Sequence, residues 1–259
     1  MFMAAAPGFA GSELESLDTA DASRGWEGIG LLDVAGGRLC TGSLIADNLV
    51  LTAGHCVFDR NTGHLAAPDK IRFMPGWRSG RAAAYRGARR LAVHPRYVED
   101  SEQRSYDLAL IELDQPIHNG SVTPFATGSQ LLPNQKVGVI SYAFDRSESP
   151  SIEPECKVLG HANGAPVLDC DVDFGSSGAP VFDLSGDEPR IVSVVSAKGE
   201  LGDQKISIGT NLEQPLAELR AFLGQSAYSG TGPAGSASRV GIVSTGSKSV
   251  RPPGSSPGS

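Results

Sequence analysis

The chain has 259 residues, of which 40% are hydrophobic and 20% are charged, as in a globular protein with one large domain or two compact ones. It contains no apolar run long enough to cross a bilayer, so we expect no membrane span. The net charge of −7 argues against nucleic acid or an anionic membrane as the main partner.

Short apolar segments separated by turns fill most of the chain from Gly28 onward. The first series reads "IGLLDV", "GRLCTGSLI", "NLVLTA", "KIRFMP", "ARRLAVHP" and "YDLALIEL". After a proline- and glycine-containing linker near residues 117–124, the second reads "KVGVISYAF", "ECKVLGHANGAPVLDC", "GAPVFDL", "RIVSVVSA" and "KISIGTNL". Segments of this length, rich in Val, Ile and Leu, predict an all-β sandwich or barrel.

The two ends of the chain differ from this pattern. Residues 1–23 predict a flexible, acidic lead-in, and its "MFMAAAPGFA" lacks the basic region of a secretory signal. The segment "TNLEQPLAELRAFLG" predicts a short helix. Residues 225–259 are rich in Gly, Ser and Pro and contain no acidic residue, so we predict a disordered tail.

The four cysteines form two pairs that are local in sequence: Cys40 with Cys56, and Cys156 with Cys170. Local pairs that close short loops favour disulfides and an oxidising compartment, secreted or periplasmic. In the second pair, "HANGAP" reads as a turn, so the bond would staple a hairpin. Four free thiols in a cytosolic protein are the alternative. Zinc is less favoured, because neither pair has a Cys-x-x-Cys spacing.

Three segments carry residues suited to nucleophilic catalysis. His55 follows a predicted strand in "LTAGHC", Asp107 begins the apolar strand "DLALIEL", and two serines lie in "GSSGAP". Each alone has an ordinary structural interpretation. Together they supply what acyl transfer by serine requires: a hydroxyl, a base to accept its proton, and a carboxylate to orient that base.

The stretch "GSSGAP" contains two candidate nucleophiles, Ser176 and Ser177. The reaction also needs backbone N–H donors for the oxyanion, each contributing on the order of 2.7–4 kcal/mol. A glycine two residues before the nucleophile allows its amide to turn inward beside the nucleophile's own amide. Only Ser177 has glycine at that position, Gly175. We therefore predict Ser177 as the nucleophile, with the amides of Gly175 and Ser177 as the oxyanion hole.

These segments resemble the chymotrypsin-like, or trypsin-fold, serine peptidases over about residues 25–224. "CTGSLIADNLVLTAGHCV" resembles the histidine segment with its flanking disulfide, "AVHPRY" and "DLALIEL" resemble the aspartate region, and "GSSGAPVF" resembles the nucleophile segment. The order His, Asp, Ser also differs from that of α/β-hydrolases. The resemblance implies two six-stranded antiparallel β-barrels, residues 24–118 and 119–224, with a short C-terminal helix and the site in the cleft between them.

The chain also departs from the animal trypsins. Ser176 stands where those enzymes carry an aspartate that pairs with a newly freed N-terminus, and no Ile-Val-Gly-Gly-like start is present. These features resemble the bacterial branch that includes the V8-like glutamyl endopeptidases. Activity is therefore expected not to depend on a freed N-terminal amine.

The resemblance also bears on which residue the enzyme prefers before the cleaved bond. The pocket floor of the family lies six residues before the nucleophile, at Asp171, which would suit an Arg or Lys side chain. The pocket wall would come from Ser196, Ala197 and Lys198. We expect a basic residue before the cleaved bond. In the alternatives, Lys198 binds an acidic side chain, or neutralises Asp171 and leaves a small pocket.

The predicted function is a serine endopeptidase that acts on protein or peptide substrates, as a monomer and without cofactor or metal. The alternatives are a non-catalytic, protease-like binding or regulatory module and a hydrolase that acts only on esters. All three catalytic residues are present, which argues against the non-catalytic module. The other histidines are interpreted as structural or exposed: His64, His94, His118 and His161.

Overall fold

The computed structural model describes residues 14–128, 131–143, 147–173 and 175–228. The predicted tail beyond residue 228 and the first 13 residues lie outside this part of the chain. Within the described residues there are fourteen strands and two α-helices. Their bounds are β1 (Glu15–Ser16), β2 (Ile29–Val34), β3 (Arg38–Ala46), β4 (Leu49–Thr52), β5 (Ile71–Pro75), β6 (Arg86–Val93), α1 (Pro95–Glu99), β7 (Ala109–Leu113), β8 (Ala126–Thr127), β9 (Lys136–Ser141), β10 (Ser151–Ala162), β11 (Ala165–Leu168), β12 (Pro180–Asp183), β13 (Arg190–Leu201), β14 (Gln204–Gly209) and α2 (Glu213–Tyr228).

The first six-stranded barrel is closed and antiparallel, in the order β2-β3-β4-β7-β6-β5. Strand β2 closes it by pairing with both β3 and β5. All five residues of β7 are buried, as expected for a strand that "DLALIEL" predicts to be apolar. Between β7 and β8 the chain crosses to the second barrel, in the region where the sequence predicted a linker.

The second barrel contains β9, β10, β11, β14, β13 and β12 in that order, and the β10–β9 pairing closes it. Strands β10 and β11 form the predicted hairpin. Its turn residues Asn163 and Gly164 have φ of 50° and 78°, the left-handed values that a two-residue Asn-Gly turn requires. A disulfide joins Cys156 to Cys170 across the hairpin, and another joins Cys40 to Cys56. Both predicted pairs are confirmed.

Aromatic side chains pack between the two barrels. Trp26 contacts Phe125 and Phe182 at ring-centroid distances of 5.9 and 5.2 Å. One continuous core cluster includes residues of both barrels and the buried leucines of α2. The prediction of two six-stranded antiparallel barrels with a C-terminal helix is therefore confirmed.

The structure differs from the prediction at both ends of the barrels. Residues 14–23 were assigned to the flexible lead-in, yet β1 pairs with β10 at Ile152, and Leu17 is buried. A two-residue strand is too short to have a sequence pattern of its own, so its partner determines it. Helix α2 continues to Tyr228, four residues into the segment predicted as tail. In the described part of the chain, no helix combines the length and hydropathy that a bilayer crossing needs.

Candidate active site

His55 lies on a 3₁₀ turn, Gly54–Val57, that directly follows β4. Its neighbour Cys56 anchors the turn to β3 through the disulfide with Cys40. A Cβ atom on Gly54 would lie 3.0 Å from both Asp107 Oδ1 and Tyr97 Cδ1, so the turn passes this carboxylate at a distance that favours glycine. The sequence "AGHC" thus brings the imidazole to the mouth of the first barrel.

Asp107 is fully buried and holds His55 from two directions. Its Oδ2 lies 2.7 Å from His55 Nδ1, and its Oδ1 accepts a hydrogen bond of 2.8 Å from the backbone N–H of His55. Burial by itself would raise the pKa of Asp107. The neighbouring His55 and the hydrogen bonds from His55 and Ser196 outweigh burial and lower that pKa below its ordinary value. The carboxylate is therefore ionised, so Nδ1 donates, and Nε2 is the imidazole nitrogen left to act as a base.

Ser196 has a contact that the sequence analysis missed. It was predicted to line the substrate strand, but its buried hydroxyl donates a 2.5 Å hydrogen bond to Asp107 Oδ2. Ser196 lies on β13 of the second barrel, whereas Asp107 precedes β7 of the first. This bond therefore joins the two barrels at the carboxylate. Only the packing of the barrels reveals it, since the residues are 89 positions apart.

The two serines of the segment "GSSGAP" lie in different environments. Ser176 is 1% exposed, and its hydroxyl donates to Ser141 Oγ at 2.9 Å, inside the second barrel. Ser177 is partly exposed and lines a cavity of about 260 Å³ that His55 also lines. The structure therefore places Ser177, rather than Ser176, where a bound substrate can reach it.

Thr41 on β3 holds the same loop from the first barrel. Its backbone N–H donates to the carbonyl of Ser177 at 2.9 Å, and its hydroxyl donates to the carbonyl of Gly175 at 3.1 Å. The same hydroxyl accepts a bond of 3.0 Å from the N–H of Tyr142. Thr41 is fully buried, so these bonds fix the carbonyls of Gly175 and Ser177 without competition from water.

The glycines of this loop have conformations that other residues rarely adopt. Gly175 has φ of 95° and Gly178 has φ of 80°. A Cβ atom on Gly178 would lie 2.2 Å from Thr52 Oγ1, so that position has no room for a side chain. None of the described residues accepts a hydrogen bond from the amide of Gly175 or Ser177. Both amides are thus available as donors, as the predicted oxyanion hole requires.

The cavity contains the residues predicted for the pocket wall but not its predicted floor. Ser196, Ala197 and Lys198 line it, and Lys198 Nζ lies 2.8 Å from Asp173 Oδ1. Asp171 does not line it. Its exposed carboxylate lies 3.2 Å from Lys205 Nζ, and its N–H donates to Glu153 Oε2.

Strand-like alternation explains the position of Asp171. Cys170 and Val172 are buried on one face, which leaves Asp171 on the other, outward face. Val172 and Asp173 line the cavity instead, and Arg38 and Arg104 line it beside His55. The sequence analysis did not identify these four residues, because their approach to one another depends on how the loops of two barrels meet.

The remaining histidines lie away from the cavity. His94 is 1% exposed and lies 2.8 Å from Glu218, whereas His64, His118 and His161 are exposed. Among the described residues, two groups of three potential metal ligands occur, and each includes both sulfurs of a disulfide. Bonded sulfurs are not thiolates, so these groups are poor metal sites.

A family model described as Trypsin matches residues 20–215. Among curated proteins, the chain is 26% identical over 186 residues to a glutamyl endopeptidase of Bacillus licheniformis, covering 68% of this chain and 57% of that protein. It is 33% identical over 92 residues to phenoloxidase-activating factor 1 of Holotrichia diomphalia, covering 30% of this chain and 25% of that protein. The chain thus matches little more than half the length of the first relative and a quarter of the second.

Solved structures share the fold over most of the chain. A Glu endopeptidase in complex with MPD aligns with a TM-score of 0.66 and 22% identity, covering 83% of this chain and 96% of that one. The protease Anisep from Arthrobacter nicotinovorans aligns with a TM-score of 0.65 and 18% identity, covering 80% and 97%. With a family model that matches about three quarters of its length and a double barrel that matches these structures, the chain belongs to the trypsin family.

Proposed function

We propose that the protein is a serine endopeptidase in which Ser177 is the nucleophile. The observation that carries this proposal is the fully buried, ionised Asp107, which holds His55 by two hydrogen bonds beside the cavity that Ser177 lines. A buried carboxylate with its oxygens so bonded fixes both the tautomer and the orientation of the imidazole. That arrangement is what a general base for a serine hydroxyl requires.

The proposed reaction proceeds in two acyl-transfer steps. Ser177 Oγ attacks the carbonyl carbon of the scissile bond, and its proton passes to His55 Nε2. The negative charge that develops on the carbonyl oxygen is stabilised by the amides of Gly175 and Ser177. His55 then protonates the departing amine, which leaves an acyl group on Ser177. Water then attacks the acyl carbon while His55 accepts its proton. The acid is released as His55 returns that proton to Ser177 Oγ.

A non-catalytic binding module is the alternative, and the polar arrangement argues against it. A module that only binds has no need for a buried carboxylate, which is costly to bury, or for a hydroxyl such as that of Ser196 to compensate it. Here Asp107 accepts three hydrogen bonds, all from His55 and Ser196. We therefore favour the enzyme.

For the residue before the scissile bond, we propose a preference for an acidic side chain. Asp171, which would suit a basic residue, lies outside the cavity and faces Lys205. Lys198, itself a predicted wall residue, lines the cavity and brings a cation to it. The relatives named glutamyl endopeptidases agree with an acidic preference.

The disulfides favour a secreted or periplasmic location, and we keep the expectation of a monomer.

A fluorophosphonate probe and a peptide library test this proposal together. The wild-type protein should react covalently with the probe and cleave peptides, and Ser177→Ala should do neither. Ser176→Ala is the matched control, since its hydroxyl is bonded to Ser141 inside the barrel. Probe labelling that persists in Ser177→Ala would exclude Ser177 as the nucleophile. Cleavage of matched substrates with Glu, Arg or Ala before the cleaved bond then determines the substrate preference. We expect the wild type to prefer Glu and Lys198→Ala to lose this preference.

A further inference from the structure

Arg38 is a partly buried cation that lines the cavity without a carboxylate partner. No described carboxylate lies within ion-pair distance of its guanidinium, and its Nε is buried with no hydrogen-bond partner. Burial, and then the charge of Arg60, lowers the pKa of Arg38 from its ordinary value. A guanidinium still carries its charge under these conditions. Arg38 thus brings to the cavity that His55 lines a positive charge with no ion-pair partner among the described residues.

Arg104 brings a second guanidinium to the lining of the same cavity. It begins the 3₁₀ turn Arg104–Tyr106 immediately before Asp107, and its side chain is 25% exposed. Its nearest carboxylate is that of Glu102, 3.8 Å away and 76% exposed, a pair that water screens strongly. Arg104 therefore keeps most of its capacity to bind an anion.

Tyr97 places an additional donor near both arginines. The residue is 2% exposed, and no described residue forms a hydrogen bond with its hydroxyl. Burial, and then the charge of Asp107, raises the pKa of Tyr97, while the charges of Arg104 and Arg38 oppose that rise. Both guanidiniums thus act on this hydroxyl, which remains protonated and able to donate.

The nearby carboxylates do not offset these cations by direct contact. The oxygens of Asp107 already accept from His55 and Ser196. Asp59 is the other acid whose charge acts on the pKa of Arg38, and its carboxylate accepts hydrogen bonds from the backbone N–H groups of Asn61 and Thr62. An incoming carboxylate would therefore meet Arg38, which has no ion pair with a described acid, and Arg104, whose ion pair with Glu102 is long and exposed.

We propose that Arg38 and Arg104, which line the cavity together with His55, form a subsite for an acidic substrate side chain in addition to the one proposed at Lys198. The inference rests on the proposed peptidase function and extends it to a substrate class: peptides with a second carboxylate close to the residue that precedes the cleaved bond. A guanidinium binds a carboxylate through two parallel hydrogen bonds, which gives geometric selection as well as attraction.

Peptides that place Glu or Gln at each position around the cleaved bond test this subsite. Glu and Gln have nearly the same shape, so their ratio of kcat/KM isolates the charge. We expect Glu to be favoured about tenfold or more at one position besides that before the cleaved bond, in line with a hydrogen bond between charged groups. The preference should weaken as salt is added.

Arg38→Gln and Arg104→Gln should each lose most of the Glu-over-Gln ratio at that second position. Arg220→Gln, an exposed arginine on α2, makes the same charge change away from the cavity and should retain it. Because the ratio compares two substrates in one preparation, it does not depend on the fraction of folded enzyme. If either variant cannot be produced, the wild-type ratio and its salt dependence still decide.

The results separate this inference from the peptidase proposal. A wild-type enzyme that cleaves peptides but shows equal rates for Glu and Gln at every other position overturns the subsite, as does a ratio unchanged in both variants. If the wild-type protein neither reacts with the probe nor cleaves peptides, the peptidase proposal fails. Calorimetric binding of the Glu and Gln peptides then tests the subsite, and equal affinities reject it.

Discussion

The imidazole of His94, directly after β6, lies 2.8 Å from the carboxylate of Glu218 on α2. This contact ties the first barrel to the helix that follows the second barrel. His94 is 1% exposed, and its Nδ1 accepts a bond from the N–H of Arg96, so both ring nitrogens are engaged. The helix is thus attached by a titratable group as well as by its leucines.

This contact predicts a loss of stability in mild acid. Burial lowers the pKa of His94 below 6.5, although the hydrogen bond to Glu218 opposes the shift. Below about pH 6.5 the unfolded chain therefore binds a proton more readily than the folded chain does. The free energy of unfolding consequently decreases as the pH is lowered. In His94→Gln, Tm should be lower at pH 8 but fall less between pH 7 and pH 5. The exposed His161→Gln should behave as wild type, and equal slopes in all three proteins would contradict the assignment.

Glu153 predicts the opposite pH trend. It is 4% exposed, and burial, only partly offset by the bond from the Asp171 N–H, raises its pKa to about 7. The folded state therefore retains a proton that the unfolded state loses above about pH 4.5, and stability falls as pH rises towards 7. Glu153→Gln keeps an acceptor for Asp171 and should be more stable than wild type at pH 8, by up to roughly 3 kcal/mol.

Urea unfolding at pH 4.5 and pH 8 measures the effect of Glu153. The matched control is Glu155→Gln, an exposed acid two residues further along β10 that pairs with Lys136. Glu153→Gln should gain on wild type only at the higher pH. A gain of the same size at both values, or a loss at pH 8, would show that folding does not raise the pKa of Glu153.

Thr41 should affect catalysis through the loop that it holds. Thr41→Val removes the donor to the Gly175 carbonyl and leaves the buried N–H of Tyr142 without its acceptor. We expect stability to fall by about 1–3 kcal/mol. We also expect kcat to fall about tenfold with little change in KM, since one oxyanion donor contributes on the order of 2.7–4 kcal/mol and would be displaced only in part.

Thr41→Ser keeps the hydroxyl and should restore both properties. A peptide boronate, which mimics the tetrahedral intermediate, should bind Thr41→Val more weakly in proportion to the loss in kcat, whereas a purely structural role would lower Tm alone. Wild-type kcat and boronate affinity in Thr41→Val would reject the positioning role.

Substitution of Ser196 should lower the rate of catalysis without a large loss of stability. Ser196→Ala removes one donor from the buried carboxylate of Asp107, so the pKa of Asp107 should rise and its hold on His55 should weaken. A hydrogen bond to a charged group contributes about 1.5–3 kcal/mol, so kcat/KM should fall roughly tenfold or more. Ser193→Ala is the matched control: its hydroxyl lies on the same strand but bonds to the backbone of Thr210. Full activity in Ser196→Ala would contradict this role.

Local patterns predicted the fold well because each barrel strand has a pattern of its own. Apolar segments such as "DLALIEL", and the left-handed turn of Asn163 and Gly164, specify structure from adjacent residues. The paired cysteines were readable for the same reason, since each pair closes a short loop. Strand β1 was not predicted, because its order comes from β10, more than 130 residues away.

The candidate site divides in the same way. His55, Asp107 and Ser177 stand in segments with a recognisable order, and the structure brings His55 to Asp107 and places Ser177 at the same cavity. Asp171 was expected in that cavity because it precedes Ser177 by six residues, but the alternation of buried and exposed residues around it places its side chain outside. Arg38 was missed because its relation to Arg104 arises only when the loops of the barrel have folded.

The pairing of β1 with β10 also limits how far the N-terminal end can be shortened. Where β10 begins, β9 lies on one side of Ser151 and Ile152, and β1 lies on the other. Removal of Glu15 and Ser16 would leave a row of backbone donors and acceptors open on that side, which is a template for another chain to pair with. A cut before residue 14 would leave the pairing of β1 with β10 intact, whereas a cut after Ser16 would expose this edge of β10.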